Sequence, residues 1–230
     1  MRTRLGATER WVSGTRLVGV GAIAADLSLI AWLLQGPKSP LQFPGGTTTA
    51  VEAVVMLAIY AVAFAVLPGR LGIHRDLVLR LGGAAGMLAG VLQVGHMALE
   101  NFGSRVGENA LVTLGFMLAA FAIWALAGYR ASRTDGAVAT GIATACASAM
   151  WSMVVAVTFG LALTKAGVPS AGYVATWQEF KQSGWADPRA FAITNGLDAA
   201  FGHLAVGVVL GCIFGFFGGV VGSVAARRAR

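Results

Sequence analysis

Two side chains that could carry out acid–base or metal chemistry, His96 and Glu100, lie four residues apart in the stretch GHMALENFGSR. Residues at i and i+4 share one face of an α-helix, so the spacing predicts that this imidazole and this carboxylate are neighbours. Such a pair can bind and release protons, and it also suits Zn, Fe, Ni or Mn. Because the stretch ends a long apolar run, the alternative interpretation is the hydrated end of a helix.

A second pair of the same residue types, Asp198 and His203, stands at the start of the last apolar run. If successive runs cross a bilayer in opposite directions, both pairs lie at one depth and predict a shared site for a cation or a proton path. The alternative is that Asp198 caps its helix and that Glu100 lies in headgroup water. No compact motif such as His-Glu-x-x-His is present, so we expect no cofactor, with bis-His haem or a divalent metal as the alternative.

Asp26 is the fifth candidate, and it lies near the middle of the first apolar run. A charged carboxylate at the bilayer centre costs roughly 2.5–3.5 kcal/mol on insertion scales, and acids at that depth are often functional. A helix interior offers it no capping role. We therefore predict that Asp26 carries protons or a small cation and bonds to a hydroxyl of the fifth span, namely Thr144, Ser148 or Ser152.

The composition places these residues in a membrane protein. The chain has 230 residues, of which 57% are hydrophobic and 12% charged, and its mean hydropathy is +0.72; roughly 25% charged residues is typical of soluble domains. The apolar runs have the length that crosses a bilayer, and a span in lipid must satisfy its own backbone as a helix. We predict one multi-pass domain, 1–230, with spans at 16–35, 50–67, 77–98, 109–128, 137–163 and 199–224.

The net charge of +7 is interpreted as a topology signal and as affinity for lipid headgroups, and we expect no nucleic-acid partner. Twelve of the seventeen basic residues fall on one side if both termini are cytoplasmic. The predicted orientation is therefore N-in and C-in, in a bacterial cytoplasmic membrane. The apolar stretch before Ala22-Ile23-Ala24 is too short for a cleaved signal peptide, so the first span is expected to remain.

The segment 164–190 is predicted to lie on the outer membrane surface. Within it, helical spacing puts Tyr173, Trp177 and Phe180 on one face, which favours a short interfacial helix or an aromatic anchor.

The residues that follow predict a separate short helix. Asp187 is a predicted N-cap and Pro188 suits the first helical turn. Asn195-Gly196 is predicted to end that helix before the last span begins.

Small residues recur at four-residue intervals in three spans and predict close helix packing. Lipid tails are as apolar as leucine, so close backbone approach along small residues supplies the packing instead. The predicted fold is an all-α integral membrane bundle of about six transmembrane helices. The alternative is that these ridges form a pore or a face for a homo-oligomer or other membrane subunits. The ridges are Gly82, Gly86 and Gly90; Gly136, Thr140, Thr144, Ser148, Ser152, Ala156 and Gly160; and Gly207, Gly211, Gly215 and Gly219.

The first functional hypothesis is a small transporter or channel-type protein that moves protons or a small cation or solute. The alternatives are a haem- or metal-binding electron-transfer protein and a non-catalytic scaffold or sensor subunit. Short loops, and the absence of any Ser/His/Asp or Cys/His arrangement that could form one site, argue against an enzyme. The two cysteines, Cys146 and Cys212, lie in apolar runs and are interpreted as small buried hydrophobes.

Overall fold

A computed structural model describes the backbone of residues 2–36, 39–43, 45–70, 75–102 and 110–229. Within these ranges it describes the side chains except those of 2–13, 15, 16 and 67–70. All regular secondary structure in the described ranges is helical, which confirms the predicted all-α class. The charge-based orientation remains a prediction, and three of its residues (Lys38, Arg105 and Arg230) lie outside the described part.

Six of the described helices are long and apolar enough to cross a membrane, which indicates a multi-pass membrane protein. A 3₁₀ turn, Pro40–Gln42, lies between the first two helices. The helices are α1 (Arg2–Leu34), α2 (Gly46–Arg70), α3 (Arg75–Phe102), α4 (Ala110–Asp135), α5 (Val138–Ala166), α6 (Ala171–Val174), α7 (Gln178–Ser183) and α8 (Pro188–Arg228).

The last helix begins earlier than the predicted span. Asp187 caps it as expected, because its Oδ1 accepts hydrogen bonds from the backbone N–H groups of Arg189 (2.8 Å) and Ala190 (3.1 Å). The predicted stop at Asn195-Gly196 is wrong, since α8 continues through both residues. A Cβ at Gly196 would lie 2.8 Å from Oγ1 of Thr164. This glycine therefore permits close packing of α8 on α5 and does not end a helix.

The predicted interfacial helix is also interrupted. Residues 171–183 form two short helices, α6 and α7, and Trp177 between them is extended (φ −65°, ψ 141°). The Thr176 hydroxyl donates to the Tyr173 carbonyl (2.7 Å), and Trp177 N–H bonds to Val174 O in a 3₁₀ pattern. These bonds end α6 after one turn, so the aromatic residues of this segment do not form one continuous helical face.

The long helices alternate in direction, and α5 lies at the centre, in contact with α1, α3, α4 and α8. We call the end of the bundle that carries residues 167–187 the distal end. Cross-helix contacts fix the registers there: Met97 of α3 lies beside Gly160 of α5, and Gly196 of α8 lies beside Thr164. Helices α3 and α8 therefore present Glu100 and Asp198 at the same distal end.

Small residues hold the opposite, proximal half of the bundle together. An added Cβ at Gly86 of α3 would meet Ser148 O at 2.6 Å, and one at Gly211 of α8 would meet the Ala149 Cβ at 2.6 Å. The predicted small-residue ridges therefore pack helix against helix within one chain. Between α4 and α8 the backbones also approach closely, because Gly128, Gly218 and Gly222 face opposing backbone atoms.

One long-range hydrogen bond ties α2 to α8. The hydroxyl of Tyr60, a residue only 1% exposed, donates to the Leu204 carbonyl at 2.8 Å. Tyr60→Phe keeps the ring and leaves that carbonyl without this donor, so we expect a loss of about 0.5–1.5 kcal/mol in unfolding free energy. Titration with a denaturing detergent, followed by circular dichroism, measures it. The exposed Tyr173→Phe serves as control, and equal midpoints for both variants would contradict the expectation.

Candidate functional site

The distal half of the bundle contains a cavity of about 580 Å³ between α3, α4, α5 and α8. Phe121, which lines the cavity from α4, stacks on Phe214 of α8 with ring centroids 4.6 Å apart. Aromatic and methionine side chains line much of the space, so we call it the aromatic cavity. Four of the five predicted site residues line it: His96, Glu100, Asp198 and His203.

A second cavity of about 420 Å³ adjoins the first on its α5 side. It lies between α3, α5, α8 and the segment 168–177, and it shares Met97, Glu100, Ala199 and His203 with the aromatic cavity. We call the two cavities together the distal cleft. Glu100 of α3 and His203 of α8 line both of its halves.

The imidazole of His96 is held by two neighbours. Its Nε2 lies 3.3 Å from Glu100 Oε1 on the next turn and 3.0 Å from Thr113 Oγ1 of α4. An ionised carboxylate only accepts hydrogen bonds, so this geometry fits a proton on Nε2 of His96. The His96 side chain is 16% exposed and that of Glu100 is 43% exposed. The predicted i, i+4 pair is therefore formed, with its carboxylate open to the cleft.

His203 faces the cleft from α8 and uses only one ring nitrogen for its own helix. Its Nδ1 lies 2.7 Å from the Ala199 carbonyl, and a carbonyl can only accept, so Nδ1 carries the proton. The other nitrogen, Nε2, remains for a ligand or for solvent. Asp198 is exposed near the start of the cavity lining on α8. In this register the two carboxylates stand about one helical turn nearer the distal end than the two imidazoles.

Asp26 lies outside the distal cleft, on the other side of α5. It is fully buried, and its Oδ1 lies 2.6 Å from the hydroxyl oxygen of Thr158. The predicted partners are wrong for a packing reason: the row of α5 that contains Thr144, Ser148 and Ser152 faces the glycines of α3. Helix α1 packs on a different face of α5, where Thr158 is the available hydroxyl.

The Thr158 hydroxyl beside Asp26 has two possible acceptors for its single hydrogen. The Thr158 hydroxyl has one hydrogen, yet Asp26 Oδ1 (2.6 Å) and Val154 O (2.9 Å) both lie within its reach. Asp26 Oδ2 is buried with no partner among the described residues. A proton on Oδ1 satisfies both contacts, because Asp26 then donates to Thr158 while Thr158 donates to Val154. The site therefore fits a carboxyl that carries a proton in this packing.

No group of three or more His, Cys, Asp and Glu side chains with the geometry for a metal ion occurs in the described ranges. The metal or haem alternative therefore gains no supporting observation from this part of the chain.

Three residues outside the five predicted site residues also lie at these sites. Thr158 bonds to Asp26, while Trp124 and Gln93 line the aromatic cavity with a buried polar atom that has no partner among the described residues. Gln93 had a sequence signal, since it lies one turn before His96 on the same run. Trp124 had none, because a tryptophan in an apolar run is usually packing or an anchor.

Comparisons with protein-family models, with curated proteins and with solved structures find no match to this chain.

Proposed function

We propose that the protein is a small membrane transport protein that receives a cationic solute or a proton at the distal cleft. The observation that carries the proposal is that His96, Glu100, Asp198 and His203 all line one cavity. A cavity of this size between the helices of a bundle is a common place for a small-molecule site.

The charges of the cleft favour a cation. The chain has seventeen basic and ten acidic residues, yet the described lining of the two cavities contains two carboxylates, two imidazoles and no lysine or arginine. A concave site lined by one sign of charge concentrates the opposite ion. The exposed carboxylate of Glu100 is therefore suited to attract a cation to the cleft.

We assign Asp26 the role of the coupling carboxylate. Its partner Thr158 lies on α5 between two residues that mark the cleft by their contacts, Met153 beside Gly207 and Gly160 beside Met97. Asp26 is thus level with the cleft but separated from it by α5. Coupling then acts through the position of α5, with a proton on Asp26 favouring the packing described above. The proposed setting is a bacterial cytoplasmic membrane with the distal end outside.

Flux through proteoliposomes tests this function. Purified protein is reconstituted with a pH dye or a sodium dye inside, and a membrane potential is set with potassium and valinomycin. We expect proton or sodium flux above that of empty liposomes. The double variant Glu100→Gln/Asp198→Asn should lower it by about 10- to 30-fold, since each carboxylate contributes on the order of 1 kcal/mol of attraction at contact distance in water.

Glu179→Gln is the matched control, because this exposed acid lies on α7 outside the distal cleft. It should transport as the native chain does. Flux of both ions at the level of empty liposomes, or an unchanged rate in the double variant, would contradict the proposal.

A further inference from the structure

The aromatic cavity is longer and more apolar than an inorganic ion requires. Its lining on α4 runs from Thr113 to Trp124, which is about 17 Å at 1.5 Å per residue. The charged and imidazole side chains belong to its distal part, where Phe116 packs on His96 with ring centroids 5.2 Å apart, whereas Phe121 and Trp124 line the wall toward the proximal half. The lining of the cavity therefore changes along its length, from polar side chains at the mouth to apolar side chains in the interior.

One side of the cavity reaches the lateral surface of the bundle. Met117 of α4 and Val206 of α8 both line it, and they are 47% and 53% exposed. These two flanking side chains are apolar. A molecule with an apolar chain can therefore enter from the hydrocarbon region of a bilayer while its polar head stays near the mouth.

We propose that the aromatic cavity binds a single-chain amphiphilic organic cation. Its ammonium head lies at the mouth near Glu100 and Asp198, and its chain runs along Phe116 and Phe121 toward Trp124. The preference for a cation rests on the proposed function. The length of the site and its lateral opening are independent of it.

Three matched compounds test the class of ligand on the protein in lipid nanodiscs: decyltrimethylammonium, decyl sulfate and tetramethylammonium. The first two compounds have the same chain and opposite charges. The third has the cationic head of the first without its chain. Titration calorimetry, with empty nanodiscs subtracted, should give saturable binding of decyltrimethylammonium only. In protein labelled with ¹⁵N-tryptophan, its addition should shift the indole resonance of Trp124, identified by its absence in Trp124→Phe. Equal binding of decyl sulfate or tetramethylammonium, or an unmoved resonance, would overturn the proposal.

The outcomes separate this inference from the proposed function. Binding of decyltrimethylammonium without any cation flux would support the site and contradict transport. Flux of protons or sodium without binding of the amphiphile would support transport and overturn the inference.

Discussion

The Asp26→Asn variant is expected to fold as the native chain does and to lose proton or sodium flux in proteoliposomes, down to the level of empty vesicles. An asparagine amide N–H can donate to Thr158 Oγ1, so Thr158 can still donate to Val154 O. The variant therefore reproduces the hydrogen bonds of a protonated carboxyl. It can neither bind nor release a proton, so the coupling step is blocked. The measurement is the dye-based flux assay, with unfolding midpoints as the test of folding.

Two further variants make this result specific to the Asp26 carboxyl. Glu52→Gln neutralises a partly buried acid on α2, outside the distal cleft, and should leave the flux unchanged. Thr158→Val removes the hydroxyl and leaves both Asp26 oxygens without a described partner, so it should lower the unfolding midpoint. Native flux in Asp26→Asn would remove Asp26 from the proposed mechanism. A misfolded Asp26→Asn would contradict the hydrogen-bond arrangement inferred for it.

Gly218→Ala is expected to be the most destabilising single methyl addition among the glycines between α4 and α8. An added Cβ would overlap the carbonyl of Ala125 and lie 3.1 Å from the backbone N of Tyr129. These are backbone atoms, which cannot rotate away as a side chain can. The two helices must move apart, and we expect a cost of about 1–3 kcal/mol or more in unfolding free energy.

Gly202→Ala, on the same helix, provides the matched comparison. Its added Cβ meets no atom within 4 Å, so no overpacking is expected. Alanine is favoured over glycine in helices by about 1 kcal/mol, so this variant should unfold at the native midpoint or above it. Detergent titrations of both variants provide the measurement. A midpoint for Gly218→Ala that matches that of Gly202→Ala would show that the α4–α8 contact is looser than described.

Much of the fold could be predicted because hydrophobic length and small-residue spacing are local properties of the chain. Runs of about 20 apolar residues require helices in lipid, and six long apolar helices are found. Glycines at 82, 86 and 90 signalled a close contact, and α3 packs against α5 along them. The Asp187 cap was predictable for the same reason, since its acceptor and the N–H groups it satisfies are two and three residues apart.

The errors arose where a local signal has two uses. Glycine at 196 can end a helix or admit a neighbouring one, and here it admits Thr164. The hydroxyl that meets Asp26 was predicted from depth alone, but the choice depends on which face of α5 is turned toward α1. Rotation about the helix axis does not follow from span boundaries. Thr158 could therefore not be distinguished from Ser148 before the packing was known.

The sequence by itself determined the functional groups of the site, which are two imidazoles and two carboxylates near the ends of helices that alternate in direction. It also determined that the chain is apolar and has a basic net charge. Only the tertiary structure decided that all four line one cavity, that Asp26 stands across α5 from it, and that the cavity continues along α4 as far as Trp124. The physical reason is that a cavity depends on how the side chains of several helices pack together. Glycines allow close contacts in the proximal half, whereas residues of α3, α4, α5 and α8 together line the space in the distal half, so no single helix encodes it.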